Sequence, residues 1–172
     1  MRPRSRAQPG DVPRPAGRAR ALERRDREAV LRIVAATGFF TAAECQVAAE
    51  VLDDALARPG GDYHVFVAET AGEVQGYVCF GPTPLTEGTW DLYWIAVDPQ
   101  SQGKGSGRAL TALAEERVAA AGGRLLLVET SGSDLYAPTR AFYETLGYRP
   151  ISRIEDFYRP GDAKVTYAKR LV

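Results

Sequence analysis

The 172-residue chain is 45% hydrophobic and 26% charged, and its 22 basic and 22 acidic side chains cancel. That composition suits one soluble domain with a sizeable core and is too short for two. No apolar run reaches the roughly 18 residues that cross a bilayer, and the N-terminal arginines lack the apolar segment of a secretory signal.

The charge is unevenly placed. Residues 1–25 carry eight arginines against Asp11 and Glu23, leaving 14 basic and 20 acidic side chains for the rest. The Arg/Pro-rich stretch 1–17 has too little apolar surface to order itself and reads as a disordered arm. No aromatics are interleaved with its arginines, and the acidic body is a poor nucleic-acid platform, which speaks against nucleic acid and for cationic substrates.

The folded domain is expected over 18–172. A short strand near Arg18 to Leu22 precedes a helix whose Val30, Ile33 and Val34 share a face and which Gly38 can stop. Thr41 and Glu44 form a capping-box signature for a second helix, with Ala48, Val51, Leu52 and Ala55 inward and Pro59-Gly60-Gly61 at its end. Two β-rich runs around Ala71-Gly72 predict an antiparallel hairpin. Thr89–Val97 predicts a strand with Asp91, Tyr93, Ile95 and Val97 on one face and Trp90, Leu92, Trp94 and Ala96 on the other. A glycine-rich turn follows, then a helix with Leu110, Leu113, Ala114, Val118 and Ala121 in one stripe, ended by Gly122-Gly123. Arg124–Thr130 is a continuous apolar run, expected to be a buried strand parallel to Thr89–Val97 through the crossover helix. Pro138 starts and Gly147 ends one more helix, and two last strands flank the turn Arg159–Asp162. The order β-α-α-β-β-β-α-β-α-β-β predicts a mixed α/β sheet.

The turn Gln102-Gly103-Lys104-Gly105-Ser106-Gly107 asks whose phosphate it holds. A Walker loop needs a hydroxyl after its lysine, and Gly105 follows Lys104. A dinucleotide fingerprint needs G-x-G-x-x-G, and Arg108 stands where the third glycine belongs. The segment matches Q/R-x-x-G-x-G/A after a strand ending V-x-P. It resembles the acetyl-coenzyme A signature of the GCN5-related N-acetyltransferase (GNAT) superfamily. Backbone N–H groups at a helix N-terminus can bind a diphosphate, side-chain-free Gly105 and Gly107 let its oxygens approach, and Lys104 and Arg108 add charge. "TRAFYETLGY" resembles the family's A-x-x-F-Y-x-x-x-G-F/Y helix, and the element order fits from about Arg18 to Val172. Two positions depart from the pattern: Tyr136 and Thr139 stand where the family often has Asn and Ala.

The resemblance implies a mixed, mostly antiparallel sheet with a central, splayed parallel strand pair, flanked by helices. It implies an acetyl-CoA-dependent N-acetyltransferase acting on a primary amine of a small molecule, peptide or protein by direct transfer in a ternary complex. A non-catalytic acyl-CoA-binding sensor or interaction protein is the alternative. Cofactor contacts are implied for Ile95, Ala96, Val97, the turn Gln102–Arg108, Tyr136 and Arg140, with the Val97 N–H polarising the thioester carbonyl and the Tyr136 hydroxyl replacing an asparagine amide. Tyr143 matches the tyrosine that protonates the leaving thiolate, and a phenol is protonated at pH 7. Asp91 matches the position of a glutamate base in the histone-acetylating branch, and Glu129 is the rival base or a clamp for the substrate ammonium. Glu87 and Asp156 are weaker candidates on loops. Tyr93 and Tyr158 are expected to line the acceptor side. His64 reads as packed rather than catalytic, and Cys45 and Cys79 as core thiols of a reducing compartment. No metal-ligand spacing is present. The expected protein is cytoplasmic and a monomer or homodimer.

Overall fold

The computed structural model describes residues 18–171, so the arm over 1–17 lies outside the described residues. The elements follow the expected order: β1 (Arg18–Ala21), α1 (Arg27–Ala36), α2 (Ala42–Ala57), β2 (His64–Thr70), β3 (Glu73–Pro82), β4 (Thr89–Val97), α3 (Ser106–Ala120), β5 (Leu125–Ser131), α4 (Ala137–Thr145), β6 (Arg149–Arg159) and β7 (Asp162–Arg170). The strands form one seven-stranded sheet ordered β1-β2-β3-β4-β5-β7-β6. Only β4 and β5 pair in parallel, because α3 carries the chain back to the end of the sheet at which β4 began.

Local chemistry explains several boundaries. The Thr41 N–H donates to Glu44 Oε2 at 2.7 Å and the Glu44 N–H donates to Thr41 Oγ1 at 3.2 Å, so the capping box starts α2 as its sequence predicts. Ala71 and Gly72 adopt φ of 54° and 82°, the left-handed pair that a two-residue hairpin between β2 and β3 requires.

Two cores lie on opposite faces of the sheet. One packs α3 and α4 against Val78, Phe80, Leu92, Leu126, Val128, Val165 and Tyr167. The other packs α1 and α2 against Val65, Val67, Tyr77, Cys79 and Ala96. The second draws on β2, β3 and β4 and includes no residue of β5 or β7, so α1 and α2 leave that side of β5 and β7 open. The apolar run Leu125–Val128 is therefore buried on one face only: Leu126 and Val128 enter the core while Leu125 and Leu127 are half-buried. β6 is the sheet edge and is exposed along its whole length.

One expectation is corrected by register. In β3 and β4, Cys79 faces Trp94 but Phe80 faces Leu92, so Tyr93 is the extra residue of a β-bulge. An extra residue swaps the faces of everything after it. Trp90 and Leu92 pack with Ile95 towards α3, whereas Trp94 and Ala96 pack towards α1 and α2. The uninterrupted alternation read from the sequence fails at Tyr93.

Candidate active site

The β4–β5 ladder runs through Thr89↔Leu125, Trp90↔Leu126, Asp91↔Leu127 and Leu92↔Val128, and then stops. Beyond it β5 is held by β7 and β4 by β3, so the two central strands part. The Asp98 N–H donates to the Gln75 carbonyl across β3 at 2.8 Å. Successive amides of a strand point opposite ways, so those of Val97 and Ile95 turn into the gap and that of Ala96 turns to β3. Ala96 also buries its side chain under the α1–α2 face. Of the three β4 residues expected at the cofactor, the structure places Ile95 and Val97 on the gap and Ala96 behind it.

The gap leads to the N-terminus of α3. Gly105 is its N-cap at φ 91°, no side chain caps the helix, and no acidic residue stands in the first turn. The first-turn N–H groups of a helix have no intrahelical acceptor, which leaves a positive terminus open to an anion. A Cβ built on Gly103 or Gly105 would meet nothing within 4 Å, so the space over both is free. A Cβ on Gly107 would lie 3.4 Å from Phe142 Cζ and 3.6 Å from Val97 Cγ2, at ordinary contact distance. Phe142 thus carries α4 to the junction of β4 and α3. These features fit a diphosphate. Gln102 and Arg108 are exposed at the mouth, Ser106 is buried, and the Lys104 ammonium donates to the Gln100 carbonyl at 2.9 Å.

Two further residues expected at the cofactor donate to backbone carbonyls. Arg140 Nη1 donates to the carbonyls of Ser131 and Ser133 at 2.7 and 2.8 Å, tying α4 to the end of β5. The Tyr136 hydroxyl donates to the Phe39 carbonyl at 3.1 Å, and its ring packs on Phe39 at 5.1 Å between centroids. It fastens the α1–α2 loop to the segment before α4.

Tyr143 is the one buried residue of α4, 2% exposed, with Phe142, Tyr148 and Tyr167 around its ring. Burial pushes its phenol well above the ordinary value, so it carries its proton throughout the neutral range.

The structure separates the two candidate carboxylates. Asp91 lies in the closed part of the ladder opposite Leu127, half-buried, and accepts from Thr83 Oγ1 at 2.6 Å. Glu129 is the first β5 residue past the last β4 pair, exposed at the vertex of the gap, and Lys164 Nζ lies 2.9 Å from its Oε1. The bulged Tyr93 stands at the opposite lip, edge-on to Tyr63 at 5.7 Å, its phenol pushed up to about 12 by burial and then by the Asp91 charge. Tyr158 is half exposed, and burial followed by the Glu129 and Asp162 carboxylates raises its phenol. Asp156 accepts from the Gly161 N–H at 2.7 Å, which is a turn bond. Glu87 offers its backbone carbonyl to Arg124.

Sequence reasoning missed Lys164, Phe39 and Phe157. Only the register of β7 against β5 could have signalled Lys164. His64 packs against Phe80 and Trp90, and the buried Cys79 thiol is pushed up to about 12, an unreactive state. No helix among the described residues is long and apolar enough to cross a membrane, and no three of their His, Cys, Asp and Glu side chains are grouped to hold a metal.

The sheet is thus parted between its two parallel strands and backed by a glycine turn. The sequence profile of the acetyltransferase (GNAT) domain matches residues 61–150. A GNAT-family acetyltransferase from Desulfovibrio desulfuricans superposes with a TM-score of 0.84 at 46% identity, over 90% of this chain and 99% of that one. The ribosomal-protein-S18-alanine N-acetyltransferase of Escherichia coli has a TM-score of 0.72 at 23% identity, over 90% and 93% of the two chains. An aminoglycoside 6′-N-acetyltransferase complexed with coenzyme A has a TM-score of 0.72 at 16% identity, over 90% and 97%. The last two share the fold. No curated protein matches the chain in sequence. The chain belongs to the GNAT acetyltransferase family.

Proposed function

We propose that this protein moves an acetyl group from acetyl-CoA to a primary amine by direct transfer in a ternary complex. The observation that carries the reading is the parting of β4 from β5 beyond Leu92 and Val128, in line with an uncapped α3 terminus. Its support from outside is the coenzyme A held by a protein of the same fold. Bound acetyl-CoA supplies an activated acetyl thioester and a thiolate leaving group.

The chain's own groups then have distinct tasks. Backbone N–H groups from Gly103 to Arg108 hold the diphosphate, with the Arg108 side chain adding charge. The Val97 N–H, turned into the gap, stabilises negative charge on the thioester oxygen. The Tyr143 phenol donates a proton to the departing sulfur. Glu129, at the vertex, receives the ammonium and takes its proton directly or through water. Asp91 sits two residues back in the closed ladder and acts on the amine only through water.

Free thiol released from acetyl-CoA, measured over a panel of small amines, peptides and proteins, tests the reading. Amine-dependent release with a matching N-acetyl product is expected. Tight coenzyme A binding without release on any acceptor would mean a sensor instead.

A further inference from the structure

The β5–β7 face that α1 and α2 leave open carries a charge pair at the vertex of the gap. Asp91 and Leu127 are register partners, so they share a face, and Glu129 follows Leu127 by two on β5. On β7, Val165 and Tyr167 enter the core, so Lys164 and Thr166 take the opposite face, the one that holds Glu129. Lys164 Nζ lies 2.9 Å from Glu129 Oε1 and 4.4 Å from the centroid of the Phe157 ring. The Lys164 side chain is only 17% exposed, whereas that of Glu129 is 52% exposed. A carboxylate on the solvent side and an aromatic face on the other are what an ammonium ligand would use, and here the chain's own lysine holds them.

This arrangement has a consequence for any acceptor. An amine entering as an ammonium takes Glu129 as its counter-ion and deprives Lys164 of it. Among the described residues, Glu129 is the only carboxylate within 4 Å of the Lys164 ammonium. Asp162 accepts from Ser131 Oγ at 2.5 Å and lies 3.7 Å from Arg159, and Glu155 is paired with Arg153 at 2.5 Å. Lys164 would be left as a largely covered, unpaired cation, which is the costly way to break an ion pair. An acceptor that brings its own anion close to its amine restores the balance, its ammonium on Glu129 and its anion on Lys164. A polycation makes the deficit worse, and such a penalty is how a site rejects a partner.

Building on the transferase reading, we propose that the acceptor is an amino acid-like small molecule, with a carboxylate a few atoms from the amine, and that the Glu129–Lys164 pair selects it.

The test measures kcat/KM by thiol release for matched pairs: leucine and isoamylamine, phenylalanine and phenethylamine, lysine and cadaverine, with spermidine as the polycation. Wild type is expected to favour the best amino acid over its decarboxylated partner by about tenfold or more, equal to about 1.4 kcal/mol, and to leave spermidine near background. Lys164→Gln is expected to bring that ratio to about twofold, through KM of the amino acid, with coenzyme A affinity unchanged. Lys164→Arg, which keeps the charge, is expected to retain the preference and guards against a folding defect in the first variant. Equal or better turnover of the decarboxylated amines or spermidine overturns the proposal and leaves the transferase standing. An undiminished preference in folded Lys164→Gln also overturns it. No amine-dependent release from these compounds, with release from a peptide or protein of the wider panel, overturns the proposal alone; no release from any member of either panel overturns both.

Discussion

Replacing Gly105 with alanine separates what this residue does for the fold from what it does for the ligand. At φ 91° an L side chain is strained, and the new methyl would meet nothing within 4 Å. The stability loss is therefore conformational alone, about 1–2 kcal/mol, or about 2–4 °C of Tm per kcal/mol for a chain of this size. The same open space is where a diphosphate oxygen must approach the α3 amides, so coenzyme A affinity should fall about tenfold or more, about 1.4 kcal/mol. Gly107→Ala is the control. Gly107 has no left-handed φ, and its Cβ would rest at 3.4 Å on Phe142 and 3.6 Å on Val97. Alanine is the better helix former by about 0.5–1 kcal/mol, so this variant should be more stable and bind coenzyme A about as wild type does. Thermal unfolding without ligand and calorimetric titration with coenzyme A read both quantities. A Gly105→Ala protein that is destabilised as expected yet binds with wild-type affinity would show that the turn is not the cradle.

Tyr143→Phe should keep the aromatic packing and the acetyl-CoA KM while kcat falls about 10²-fold or more; an unchanged kcat removes Tyr143 as the acid. Arg20 holds the buried Asp26 through bonds of 2.6 and 2.9 Å and also reaches Glu69 at 2.9 Å. Arg20→Ala leaves the Asp26 charge unpaired and should destabilise the fold by about 3 kcal/mol in urea titrations, and a loss near zero would contradict that pairing. Burial pushes the Asp26 carboxyl up, but Arg20 and the Glu23 N–H outweigh it and hold it below the ordinary 3.8. Its stabilisation is thus present above pH 3.8 and lost below, as the carboxyl takes up its proton; in Arg20→Ala, where burial is left opposing an unpaired carboxylate, this loss on acidification should shrink or reverse. Burial holds the His64 imidazole below the ordinary 6.5. The unfolded chain then binds the proton first, so stability should decline as pH falls from 6.5 through the folded pKa. His64→Phe should lack that part of the decline, and urea curves at several pH values that run parallel for the two proteins would refute it.

Features encoded over a few residues are legible in the sequence. Thr41 and Glu44 announce the start of α2 because both partners of the cap lie three residues apart. Gly103 and Gly105 announce the turn because only glycine adopts those angles without strain. The order of elements follows from periodicity and identifies the strand pair that parts. Periodicity also reads β4 as an unbroken alternation, but a bulge that depends on pairing with β3 moves Trp94 and Ala96 to the other face. The partners of Tyr136 and Arg140, Phe39 and the Ser131 and Ser133 carbonyls, become neighbours only when α4 packs down, so periodicity does not show them.

By itself, the sequence determined the local elements, the glycine turn, and through them the family. Those properties rest on backbone preference and short-range hydrogen bonds, which a few adjacent residues specify. The tertiary structure alone decided which carboxylate stands at the open vertex and which residue faces it. Glu129 and Lys164 are 35 residues apart and meet because of strand register, and Tyr136 reaches Phe39 across 97 residues. Register is settled by burying whole faces at once, so no window of sequence records it. The glycine turn is therefore written locally, while the vertex between β4 and β5 exists only once the sheet is assembled.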